Sequence, residues 1–132
     1  MAFKVKKYPK NEFYETYIKW CDDHKFPRIS DLWLPEFCFV CYDEETPIYV
    51  SWFWFTNSKI AWQGFMASNK KYSHKKKVGG MDFLFTHIEN YAKRKNIVTV
   101  FTTSSTDSIE KGLVRSGYIV GDTANHYFKI IK

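Results

Sequence analysis

Ile60-Ala61-Trp62-Gln63-Gly64-Phe65-Met66-Ala67, then Ser68 to Lys77 with lysines at 70, 71, 75, 76 and 77, then Val78-Gly79-Gly80-Met81, then Leu84-Phe85…Ile88…Tyr91-Ala92: this run decides the fold. Its first part is aromatic and apolar over strand length, with Gly64 marking a possible bulge. Its polar, lysine-rich middle reads as a loop. Its last part repeats apolar residues every three and four positions, while Glu89, Asn90, Lys93 and Arg94 fill the opposite face, so an amphipathic helix follows the glycines. Glycines at a helix start let the backbone approach a ligand, and the unpaired N–H groups of the first turn form an anion seat that suits a pyrophosphate. The plain alternative is that Gly79-Gly80 only turns the chain and the lysines are solvated.

Upstream of this run, Ala2 to Tyr8 alternates as an edge strand ended by Pro9, and Phe13, Tyr14, Tyr17, Ile18 and Cys21 give a helix from an N-cap at Asn11 to about Lys25. Ser30 to Leu34 has room for a short helical turn. Phe37 to Tyr42 and Pro47 to Thr56 read as an antiparallel hairpin joined by Asp43-Glu44-Glu45-Thr46, the second strand apolar on both faces and so central. Downstream, Asn96 ends the long helix and Ile97 to Thr102 is a short strand. A helix over Asp107 to Arg115 ends at Gly117, and Tyr118 to Val120 and His126 to Ile131 finish as strands. The expected architecture is a mixed α/β sheet of about seven strands, mostly antiparallel, flanked by roughly three to four helices.

With 132 residues and 15.8 kDa, residues 1–132 form one domain with one core. Hydrophobic residues at 45% and aromatics at 20% exclude a disordered chain. No run approaches the length of a membrane span, and the opening Met1-Ala2-Phe3-Lys4-Val5-Lys6-Lys7 lacks the apolar run of a signal peptide. A soluble, cytoplasmic protein without a membrane partner is expected, its oligomeric state open. Twenty Lys and Arg against fourteen Asp and Glu give +6, which favours anionic partners such as nucleic acid, phosphorylated cofactors or acidic membranes without choosing among them. Cys21, Cys38 and Cys41 are read as reduced, buried thiols.

Lys76-Lys77-Val78-Gly79-Gly80-Met81, after a meander strand and before an amphipathic helix, resembles the acyl-CoA-binding motif of the GNAT (GCN5-related N-acetyltransferase) superfamily. That motif runs Gln or Arg, two residues, Gly, one residue, then Gly or Ala. The likeness covers most of the chain: His87-Ile88-Glu89-Asn90-Tyr91-Ala92 resembles the helix after the motif, Ile97 to Phe101 the next strand, and Leu113-Val114-Arg115-Ser116-Gly117-Tyr118 the terminal signature. There are departures. Lys76 stands for Gln or Arg and Met81 for Gly or Ala; Thr106 falls on the Asn that contacts the pantetheine arm, and Leu113 on the Tyr that often protonates the leaving thiolate. Leucine cannot donate a proton.

The resemblance implies an N-acyltransferase that moves an acetyl or related acyl group from acetyl-CoA to an amine on an unidentified acceptor, acidic or nucleic-acid-linked by charge. It implies that amides of Lys77, Val78, Gly79, Gly80 and Met81 bind pyrophosphate, with Lys76 and Lys77 adding charge, and that the strand at Met66 and Ala67 pairs with pantetheine. Thr106 joins the cofactor set; no catalytic residue and no metal ligand is assigned. The alternative is a GNAT-fold module without chemistry, binding a protein or nucleic acid.

Other patterns carry less. Cys38-Phe39-Val40-Cys41 spells C-x-x-C, but on a strand the two thiols point to opposite faces. His24, His74, His87 and His126 show no metal-binding spacing, and His87 sits on the polar shoulder of its helix. Thr103, Ser104, Ser105 and Thr106 follow a strand end where ligands gather, while Thr106 equally suits an N-cap. Trp52, Phe53, Trp54, Phe55 and Trp62 belong mostly to the core by default, although half of them, on one face of their strands, suit an acceptor pocket or stacking on bases, and lysines 70 to 77 suit phosphates of a nucleic acid as well as of a cofactor.

Overall fold

The computed structural model describes residues 2–72, 74–104 and 106–132; within that range the side chains of residues 74–78 lie outside the description, as do Ser73 and Ser105 entirely. Strand β1 (Phe3–Pro9) runs into helix α1 (Lys10–Asp23); a single 3-10 turn (Asp31–Trp33) follows, then strands β2 (Phe37–Asp43), β3 (Thr46–Phe55) and β4 (Ile60–Ser68), helix α2 (His74–Arg94), strand β5 (Thr99–Phe101) and helix α3 (Asp107–Arg115). Pro9, not Asn11, holds the N-cap of α1; its fixed φ of −64° starts the helix without a side-chain cap. Asn96 at φ 59° and Gly117 at φ 90° end α2 and α3 in the left-handed region, and the Tyr118 N–H donates back to the Leu113 carbonyl at 3.0 Å.

Among the described residues the sheet has five strands in the order β1-β2-β3-β4-β5, antiparallel except for the parallel β4–β5 pair. The expected fold class holds with fewer strands. Residues 118–132 form no strand: beyond Tyr118, Ile119, Val120, Tyr127, Phe128, Ile130 and Ile131 are all exposed, and only Phe128 has an aromatic neighbour, Trp33 at 5.6 Å. β-Branched and aromatic side chains mark these residues as able to pair, but pairing needs a partner edge, which sequence pattern does not supply.

The layers are α1, sheet, and α2 with α3. Phe13, Tyr17, Trp20 and Cys21 of α1 pack with Cys38, Val40, Val50 and Trp52 on one sheet face. On the other face Met81, Leu84, Phe85, Ile88 and Tyr91 of α2 pack with Phe39, Cys41, Ile48 and Phe53, and with Leu113 of α3. Cys38 and Cys41 therefore enter opposite cores, as strand geometry dictates; both are unbridged, and burial pushes each thiol up to about 12.

The helix start differs from expectation. Lysine is a good helix former, and α2 already begins at His74, which puts Gly79 and Gly80 in its second turn. Gly79 and Gly80 therefore lie beyond the first turn, the part of a helix whose amides have no partner within the helix. Gly80 is buried hard against Ile48, which a Cβ would strike, whereas Gly79 is exposed and a Cβ there would meet only the Phe3 ring at 3.1 Å. The glycines thus serve close approach of helix to sheet. Gly80→Ala is expected to destabilise by about 1–3 kcal/mol despite the better helix propensity, and Gly79→Ala to stay within about 1 kcal/mol, as chemical denaturation of the two variants will show.

His87 packs edge-on against Phe39, ring centroids 5.2 Å apart, and burial, assisted by Arg94, lowers its pKa below the ordinary 6.5. The unfolded chain binds this proton more readily, so the neutral ring's contribution to stability is present above about pH 6.5 and is lost as pH falls toward the depressed folded value. The melting temperature should drop between about pH 7 and pH 5, and His87→Gln should flatten part of that drop.

Candidate cofactor cleft

β4 and β5 pair only from Ile60↔Thr99 to Trp62↔Phe101; beyond Trp62 the two strands part. On its other side β4 is irregular: Trp52 faces Gly64 while Val50 faces Ala67, so β4 carries one extra residue. Phe65, at φ 46°, takes the left-handed conformation there, one residue after the glycine expected to mark a bulge, and its ring packs on Trp54 at 5.6 Å. Strand divergence and bulge together leave the last turn of β4 with an open edge.

That edge opens onto a cavity of about 190 Å³. Met66, Ala67 and Ser68 of β4 form one wall, Thr106, Ser108 and Ile109 at the start of α3 another, and His24, Phe26, Tyr49 and Met81 close it. Thr106 accepts from the Ile109 N–H at 3.3 Å, so it is the N-cap of α3 and a cavity hydroxyl at once. Met81 is buried, reaching toward Gly112 of α3, and helps to line the cavity without filling it. An ion pair of 3.1 Å between Arg115 and Asp82 ties α3 to α2 beside it.

Besides the hydroxyls of Ser68, Thr106 and Ser108, two lining rings carry protons. His24 Nε2 lies 2.9 Å from the Ser68 carbonyl oxygen and 3.1 Å from Ser68 Oγ. A carbonyl only accepts, so Nε2 donates and, in the neutral ring, Nδ1 keeps the lone pair. The ring stacks on Phe26 at 5.0 Å and 16°, which fixes its plane. Burial raises the Tyr49 hydroxyl to about 12 against the opposing charge of Arg115, so it stays protonated at neutral pH.

Of the residues singled out by sequence, Met66, Ala67, Met81 and Thr106 meet at this cavity. Gly79 and Gly80 face Phe3 and Ile48 instead. The side chains of Lys76, Lys77 and Val78 lie outside the described residues. Leu113 is buried in the α2-side core. Sequence reading missed His24, Tyr49 and Ser108, because nothing local links a residue after α1 or within β3 to the end of β4. A larger hollow of about 1020 Å³ lies between β5, α3 and the tail, lined by Trp62, Phe101 and Tyr118. Among the described residues no helix is long and apolar enough to cross a membrane, and no cluster of three or more His, Cys, Asp or Glu is placed to hold a metal.

No family model and no curated protein matches the chain by sequence. Solved structures do match by shape. An aminoglycoside acetyltransferase, meta-AAC0020 from an uncultured soil metagenomic sample, solved with sisomicin, superposes with TM-score 0.68 at 14% identity, over 98% of this chain and 97% of that one. SA2161 from meticillin-resistant Staphylococcus aureus, a probable acetyltransferase, gives 0.67 at 16% identity over 96% and 100% of the two chains. A GNAT family acetyltransferase from Staphylococcus aureus USA300_TCH1516 gives 0.63 at 17% identity over 98% and 100%. The chain has the GNAT fold. Its elements stand in the GNAT order anticipated from Lys76 to Met81 and from Leu113 to Tyr118, with five strands formed where about seven were expected.

Proposed function

We propose that this GNAT-fold chain acts over residues 1–132 as one acyltransferase domain, using acetyl-CoA or a related thioester to acylate an amine. The observation that carries the reading is the open edge of β4, where bulge and strand divergence meet a cavity walled by Met66, Ala67 and Thr106. Backbone groups at Met66 and Ala67 would pair with the pantetheine arm as an added strand, and the Thr106 and Ser108 hydroxyls would bond its amides. The first-turn amides of α2, with Lys76 and Lys77, would take the pyrophosphate. Bound acetyl-CoA would supply the activated acetyl group.

The chain's own residues would handle the protons. His24 Nδ1 would accept one from the acceptor amine, and the Tyr49 hydroxyl would donate where a thiolate leaves, a task Leu113 cannot perform. Holding both reactants in the cleft would supply about 7–11 kcal/mol of the barrier, more than the 10²–10⁴-fold of a single acid or base.

Calorimetry with acetyl-CoA, followed by thiol release in the presence of amines including aminoglycosides and polyamines, tests the reading. Micromolar binding with amine-dependent thiol release is the expected result. Leu113, buried where the resemblance places a tyrosine, favours a second reading, a GNAT-fold module without chemistry. Binding without release for any amine would favour it; no binding at millimolar cofactor would overturn the acyltransferase.

A further inference from the structure

At the end of the sheet opposite the cleft, three cations converge on one ring. Phe55 pairs with Ala61 near the start of β4, whereas Tyr49 pairs with Ser68 at the cleft end. Beside Phe55 lies Tyr91 of α2, ring centroids 6.2 Å apart, with Phe37 6.0 Å from both. Lys7 Nζ stands 4.3 Å from the Phe37 centroid and 5.5 Å from that of Tyr91, with Arg94 Cζ at 5.9 Å and Lys95 Nζ at 5.7 Å from Tyr91. All three cations are exposed.

None of them joins an ion pair: among the described residues these are Lys4–Glu45, Arg28–Asp22 and Arg115–Asp82. Glu36 and Glu89, next to Phe37 and Tyr91 in sequence, form none either. A ring quadrupole attracts a cation without cancelling its charge, so the three heads repel one another and the site gains from a shared anion. Phe55 adds an apolar face, half exposed at 50%.

The surface therefore asks for closely spaced negative charges and a flat π system together. Single-stranded nucleic acid supplies both, since its phosphates repeat and its bases are free to stack. A duplex hides its base faces, and an acidic peptide offers charge alone. We infer that this face binds single-stranded nucleic acid, with Lys7, Arg94 and Lys95 on phosphates and Phe55 under a base. The inference is independent of the acyltransferase reading and uses none of the residues of the cleft.

Fluorescence anisotropy of the full chain with an oligothymidylate of about twelve nucleotides, without cofactor, is the test. Log affinity should fall linearly with log salt between about 50 and 200 mM. The Lys7→Gln/Arg94→Gln/Lys95→Gln variant should flatten that slope by about 2, three phosphate contacts at roughly 0.7 each. Phe55→Ala should weaken binding about 5- to 100-fold with the slope unchanged. Melting curves verify that each variant is folded, and Phe55→Leu replaces the alanine variant if its melt is lowered. Three outcomes overturn the inference: no binding at low salt; a triple variant that binds like the parent, which moves binding to lysines 70–77; or polyglutamate competing equally while the Phe55 variants are silent, which makes the partner an acidic protein.

Discussion

Phe53→Ala will cost the fold about 3–5 kcal/mol, read from the shift of a urea unfolding midpoint at constant m-value. Phe53 is fully buried at the centre of the α2-side core, with the rings of Phe37, Phe39, Phe55 and Tyr91 between 5.3 and 6.0 Å from its own. Three of these contacts are edge-to-face, the arrangement aromatic quadrupoles favour, so truncation removes transfer energy, specific ring contacts and packing around the void together. Against a total of about 5–15 kcal/mol, this single change consumes a large share of the stability. Phe128→Ala is the control: that ring is 75% exposed, and its loss should stay within about 0.5 kcal/mol. A small effect at Phe53 would mean that the described core is not the cooperative unit of the fold.

Ser108→Trp is expected to lower acetyl-CoA affinity at least tenfold, about 1.4 kcal/mol or more, in the calorimeter. Ser108 is exposed on the first turn of α3 and lines the 190 Å³ cavity, so an indole there can fill the space while stability changes by less than about 1 kcal/mol. Unchanged affinity would move the pantetheine arm out of this cavity, with the hollow beside β5 as the remaining candidate. His24→Gln gives a separate reading: it keeps a donor toward the Ser68 carbonyl but has no basic nitrogen, so cofactor binding should persist while any amine-dependent thiol release falls about 10²–10⁴-fold.

Much of the fold is legible in the sequence because local rules suffice for it. Period-two alternation places β1, residue spacing places the apolar faces of α1 and α2, and strand geometry sends Cys38 and Cys41 into opposite cores. The Asp43-to-Thr46 connector is a hairpin turn, with Glu44 at φ 53°. Where the reading departs from the structure, a tertiary contact is the reason. Paired glycines usually open a helix, yet here the chain is already helical and Gly80 is small because Ile48 presses on it. The bulge falls on Phe65, whose strained conformation is maintained by strand pairing on either side. Tyr118 to Val120 and His126 to Ile131 have the β-branched and aromatic residues of strands, but without a partner edge they form none.

The candidate site divides the same way. Met66 and Ala67 are placed at the cavity wall by the family resemblance, and Thr106 by that resemblance together with its position after a strand end and at a helix cap. His24, Tyr49 and Ser108 are placed by neither, since they reach the cavity from three elements far apart in sequence.

The two rims of the sheet are unlike, and that limits how copies can stack. A filament grown by adding strand to strand needs both rims of every molecule. The β1 rim carries Lys4, Lys6 and Lys7, so a second β1 brought alongside would meet matching charge, and any other strand would have to desolvate the ammonium heads. Growth through the β5 rim alone ends at a closed pair, so concentrating this protein should yield discrete particles in scattering measurements and no fibres.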